Sequence, residues 1–140
     1  MIEPVKRFPI VPLIDGGSMR IQTIHIDDLC EGITNALEQH IRGAISLADP
    51  AGITMKEFLR EVALHLGKKT LFVPLPSALL LPIVRGFERI NVQLPISSEN
   101  ILGLRHARFV DTRHDLARIR LSPLTSRQSL ERIFASSPPA

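Results

Sequence analysis

At 140 residues, with 44% hydrophobic and 22% charged side chains, the chain is long enough for one domain with a buried core. Six phenylalanines, with no tyrosine or tryptophan, make that core aliphatic and remove the aromatic platforms on which single-stranded nucleic acid stacks. The net charge of +3 is mild, and a single cysteine, Cys30, excludes an internal disulfide and fits a reducing, cytoplasmic compartment.

The N-terminus lacks the charged-then-apolar layout of a signal segment. Phe8–Ile14 is apolar and punctuated by Pro9 and Pro12, and Asp15-Gly16-Gly17-Ser18 marks a turn. β-Branched residues predict a strand over Ile21–Ile26, after which Asp27 is placed to cap a helix over Asp28–Gln39. Leu29, Ile33, Ala36 and Leu37 recur at helical spacing as one apolar stripe, with Cys30 on the inner face as a small core residue. Gly43 closes this part, and Ala44–Ala48 reads as a strand ended by Asp49-Pro50. Thr54-Met55-Lys56-Glu57 is a capping box, opening a helix that carries Phe58, Leu59, Val62, Ala63 and Leu66 on one face and stops at Gly67.

Thr70–Val73 reads as a strand leading into Pro74-Leu75-Pro76, Ser77–Ile90 as a helix bent at Pro82, and Ser97–Leu104 as a short helix. A second capping box, Thr125-Ser126-Arg127-Gln128, opens a final helix with Leu130, Ile133 and Phe134, and residues 136–140 form a disordered tail. The longest apolar run, Val73–Val84, is broken by three prolines and falls short of the ~20 residues that span a bilayer, so no transmembrane segment is expected. No repeat or linker divides the chain. Residues 1–135 therefore read as one unit, and the alternation of strands and helices makes it α/β.

Arg20-Ile21-Gln22-Thr23-Ile24-His25-Ile26-Asp27-Asp28-Leu29-Cys30 resembles the strand-into-helix segment that opens the substrate-side half of extended short-chain dehydrogenases, the NAD-dependent epimerase/dehydratase family. Four further stretches resemble the same family in the same order. They are Gly43–Pro50, Ile53–Phe58, Leu66–Lys69 with Val73–Pro76, and Asp111–Leu116 through Leu130-Glu131. The resemblance is strongest to the atypical branch, which includes a respiratory-complex accessory subunit. It implies a partial Rossmann-like fold: the C-terminal, substrate-binding half of such an enzyme, with few short strands and about five helices. It also implies that NAD or NADP binds on a missing N-terminal Rossmann half, and that the substrate is small and polar, such as a nucleotide sugar. Arg20 and His25 are the substrate-side residues that the resemblance carries over.

Neither a glycine-rich dinucleotide loop nor a Tyr-x-x-x-Lys pair occurs in these residues, so no catalytic or cofactor-binding residue is assigned to them. The function expected is substrate recognition within an NAD(P)-dependent epimerase/dehydratase-like oxidoreductase. The alternative is a non-catalytic accessory or interaction module of the same fold. An unpaired strand edge, Ala44–Ala48 foremost, or the apolar helix face from Ser77 makes a homodimer or larger species the expected state of the isolated chain.

Other chemistries are weaker in the sequence. His25-Ile26-Asp27-Asp28 has metal-ligand residue types but no second His or Cys at short spacing. His106 and His114-Asp115 lack a serine in a Gly-x-Ser-x-Gly elbow. His40 and His65 fall late in their helices, where a protonated ring favours the carbonyl ends. Arg105, Arg108, Arg113, Arg118, Arg120, Arg127 and Arg132 gather positive charge that suits a phosphate-bearing partner, and nucleic acid is the least favoured of these.

Overall fold

The computed structural model describes residues 5–6, 8–80, 82, 84, 103 and 108–136. The fold is mixed α/β, as the strand–helix alternation predicts. Its elements are β1 (Ile10–Ile14), a 3-10 turn (Asp15–Gly17), β2 (Arg20–Ile21), α1 (Ile26–Glu38), β3 (Ile53–Thr54), α2 (Met55–His65), β4 (Leu71–Leu75), α3 (Arg113–Arg118) and α4 (Ser126–Ser136). The short helix expected at 97–104 lies outside the described residues, apart from Gly103. So does most of the helix expected at 77–90, whose first residues, 77–80, are helical. Ser136, expected in the tail, ends α4 instead.

The chain forms two compact units where the sequence shows one. Each is assembled from separated segments, Met1–Met19 with Thr54–Arg108 and Arg20–Ile53 with Phe109–Ala140, so neither leaves a linker to be read.

In the first unit β1 pairs in parallel with β4, from Ile10 opposite Leu71 to Ile14 opposite Leu75. Val11 and Leu13 are buried, as are Phe58, Leu59, Val62, Ala63 and Val84 of the same unit, while Ile10, Leu71 and Leu75 on the opposite face of the strand pair are exposed. The turn after β1 has Asp15, Gly16 and Gly17 all at positive φ. A Cβ on Gly17 would lie 3.0 Å from Leu13 Cδ1 and 3.1 Å from the Lys56 backbone nitrogen, so close packing against the start of α2 requires glycine there. The Asp15 carboxylate accepts the Ser77 amide at 2.8 Å.

The capping box of α2 forms as its sequence predicts. Thr54 Oγ1 accepts the Glu57 amide, and the Glu57 carboxylate accepts the Thr54 amide at 3.0 Å. Replacing Thr54 by alanine should lower stability by about 1 kcal/mol, read as a shifted urea midpoint at unchanged slope. An unchanged midpoint would remove the cap from the helix's energetics. At the other end Gly67 takes φ 63, its amide bonding Leu64 and the Lys68 amide bonding Ala63, a Schellman stop.

In the second unit α1 departs from expectation at three points. His25, not Asp27, caps it: Nδ1 accepts the Asp27 amide at 3.3 Å, so the helix begins at Ile26 and the strand expected over Ile21–Ile26 is only Arg20–Ile21. The helix ends at His40, in the left-handed region at φ 54, with the same pair of closing bonds as α2 (His40 to Leu37, Ile41 to Ala36). Finally, the buried side of α1 is Asp28 and Gly32, while Ile33 and Leu37 face solvent, Leu37 at 72% exposure, and Cys30 is exposed rather than a core residue. Gly32 decides this. A Cβ there would lie 3.0 Å from both Leu47 Cδ1 and Leu121 Cδ2, so the helix approaches its core through the residue without a side chain. That core is Leu116, Ile119 and Leu121, with Ala36, Ile41, Ile45 and Leu47 against it.

Ala44–Ala48 is not a strand. Its backbone polar groups bond to side chains from far along the chain. The Ser46 amide donates to Asp115 at 2.9 Å, and the Ala48 carbonyl accepts from Thr112 Oγ1 at 3.0 Å. It therefore forms no strand of its own to serve as a ladder edge.

Candidate functional site

The second unit is held by a set of polar side chains gripping backbone, and Asp49 is at its centre. Asp49 is 2% exposed, and Oδ2 accepts both the amide and the hydroxyl of Ser126, at 2.8 and 2.9 Å. Oδ1 accepts the Ala51 amide at 2.9 Å, the Asx turn that Asp-Pro favours. Burial pushes the Asp49 carboxyl up, but the bonds from Ser126, Ala51 and Gly52 outweigh it and hold the group below the usual carboxylate range. Thr23 Oγ1 donates to Ser126 Oγ at 2.9 Å, and Asp28 accepts the Leu124 amide at 2.8 Å. Asp115 also lies below its ordinary value, chiefly through the Ser46 amide and then through Arg118.

The two residues carried over from the family resemblance lie beside this network in different environments. Arg20 is exposed. Its guanidinium sits 4.9 Å above the centre of the Phe109 ring, and Nη2 donates to the Ala51 carbonyl. That arrangement orients the plane of the fork by stacking. Donors remain on Arg20 for a bidentate grip on phosphate or carboxylate. Its alternative partners, Asp27 and Asp28, are engaged elsewhere: Asp27 with Arg132 at 2.9 Å and Asp28 with Leu124.

Phe109 stays in place through the next residue. Gln22 Nε2 donates to the Val110 carbonyl at 2.9 Å, and Gln22 Oε1 accepts the Val110 amide at 2.8 Å. Gly52, at φ 61, completes the surround. A Cβ there would meet Phe109 Cε2 at 2.9 Å and the Ile21 carbonyl at 3.0 Å.

His25 is buried, and Nδ1 is committed to capping α1. The strand–helix junction is thus locked by the histidine itself. No bond or ring contact joins His25 to Arg20 among the described residues. Gln22, Asp49 and Phe109 were not legible as a group. Their partners lie as far as 89 residues away, and only Asp49-Pro50 carries a local turn signal.

Among the described residues no group of three or more His, Cys, Asp and Glu side chains could hold a metal ion. His114 Nδ1 is 3.8 Å from Asp115, with its ring exposed, and His106 lies outside the described residues. Gly16-Gly17 closes a 3-10 turn, Gly17 packs against the start of α2, and the two-residue β2 follows rather than a helix. No helix among the described residues is long and apolar enough to cross a membrane.

No protein-family model matches the chain, and no curated protein matches it. Among solved structures it is similar to the crystal structure of gox2253, at 18% identity and a TM-score of 0.66. The match covers 96% of this chain and 41% of that one, so the chain spans less than half the length of this neighbour. The likeness is one of fold.

Proposed function

We propose that these residues are the substrate-recognition portion of an NAD(P)-dependent oxidoreductase similar to the extended short-chain dehydrogenases of the epimerase/dehydratase kind. The parallel pair β1–β4 carries this reading. Parallel sheets are covered on both faces by the rest of an α/β fold. Here one face packs on a core while Ile10, Leu71 and Leu75 on the other are exposed. A sheet of this kind calls for further strands and helices, and a neighbour that shares the fold over only 41% of its own length supports a larger parent.

In that parent the cofactor lies on the Rossmann half and supplies hydride transfer. The substrate is a small polar molecule, with a nucleotide sugar as the proposed class. Arg20, stacked on Phe109, holds its phosphate or carboxylate. His25 fixes the junction that aims the start of α1.

Calorimetric titration of the 140-residue chain with NADH and NADPH should give no micromolar binding. The sequence has no strand–glycine-loop–helix motif to seat a dinucleotide at a helix N-terminus. A stoichiometric signal given by the dinucleotides but not by pyrophosphate alone would overturn the assignment of the cofactor to another part of the protein.

A further inference from the structure

A second site, independent of Arg20, lies in the first unit along α2. Lys56, Arg60, Ala63 and Leu64 recur at i, i+4, i+7 and i+8 and so share one side of that helix. The Schellman stop at Gly67 turns the chain sharply back. Lys68, Lys69 and Thr70 then run into β4 along the same side. The two stretches enclose an open groove of about 470 Å³. Among the described residues that line it, four carry cationic side chains and none carries a carboxylate.

Two of those cations, Lys56 and Arg60, are a like-charged i,i+4 pair, an arrangement that costs a helix stability unless something neutralises it. The Glu57 carboxylate accepts the Thr54 amide in the cap. Lys68 Nζ donates to the Lys6 carbonyl, a neutral acceptor. Thr70 also lines the groove, and its Oγ1 is buried with no hydrogen-bond partner among the described residues. Leu64 and Leu71 supply an exposed apolar wall.

The geometry points to a binding site for a phosphate-bearing ligand in the groove between α2 and β4. Lys56, Arg60 and Lys69 provide the charge, Thr70 the neutral donor, and the leucines a seat for an apolar body attached to the phosphate. A phosphate dianion matches this set better than a single carboxylate, because several donors converge on one group. The phosphate belongs either to a soluble metabolite or to a lipid headgroup, and the two sources share this chemistry.

The test uses two probes: inorganic pyrophosphate, titrated by calorimetry, and vesicles of phosphatidylcholine with and without phosphatidic acid, read by co-sedimentation. Saturable binding of either probe should weaken about tenfold or more in the Lys56→Gln/Arg60→Gln double variant. The control, Arg42→Gln/Arg113→Gln, removes the same charge from the other unit and should retain the affinity. Lys69→Gln serves as a second variant should the double variant fail to fold.

Pyrophosphate binding with this pattern assigns a soluble ligand. Binding confined to phosphatidic acid vesicles, with the same pattern, assigns a headgroup. Binding of neither probe overturns the site, as does a loss equal in the control variant, which would mean general attraction to a basic chain.

Discussion

Replacing Asp49 by alanine is expected to destabilise the protein by about 4 kcal/mol, because hydrogen bonds to a buried charged acceptor are worth roughly 1.5–3 kcal/mol and an orphaned buried donor costs about 1–3 more. The alanine leaves the Ser126 amide and hydroxyl without their acceptor in a site closed to water, and it opens the Asx turn at Ala51. Because native stabilities are only about 5–15 kcal/mol, the loss should be plain in a urea titration.

The pH dependence follows from the same bonds. The folded-state pKa of Asp49 is depressed, so its contribution is fully present above the unfolded value of about 3.9 and is lost as pH falls through the folded value. Stability should therefore fall in acid below about pH 4, and Asp49→Asn should lack that component while being less stable at neutral pH. A variant with the parent's midpoint at both pH values would show that the network has no energetic role.

The second large effect concerns Ile119, fully buried between Leu116 and Leu121. Ile119→Ala should cost about 3 kcal/mol, within the range for truncating a buried isoleucine and leaving a cavity. Leu37→Ala, on the exposed side of α1, should change stability by less than about 0.5 kcal/mol. The pair of measurements tests the orientation of α1. If Leu37 proved costly and Ile119 cheap, the helix would be burying its leucine stripe, as periodicity alone suggests.

That contrast locates what the sequence could and could not reveal. Both capping boxes were legible, Thr54 with Glu57 and Thr125 with Gln128, since each is a contact across three residues. The Gly67 stop was legible for the same reason. Hydrophobic periodicity found α1 but chose the wrong side. What decides burial there is the absence of a side chain at Gly32 and the bond between Asp28 and the Leu124 amide, neither of which registers as an apolar stripe. Ala44–Ala48 has the composition of a strand, yet Asp115 and Thr112 bond its backbone across 69 and 64 residues. Arg20 comes from the family resemblance. Its Phe109 platform does not, because a cation and a ring 89 positions apart leave no local pattern.

The interleaving of the two units also sets an order of events at the ribosome. Arg20–Ile53 is made early but cannot finish its unit until Phe109–Ala140 follows, and the partner of Asp49 is Ser126, 77 residues later. At a synthesis rate of about 5–20 residues per second, that separation corresponds to roughly 4–15 s during which Asp28 and Asp49 lack their partners and Leu47 lacks its core. The intervening residues meanwhile complete the other unit. For those seconds the nascent chain presents apolar surface that the finished protein hides, and its hazard of misassembly belongs to translation rather than to the folded molecule.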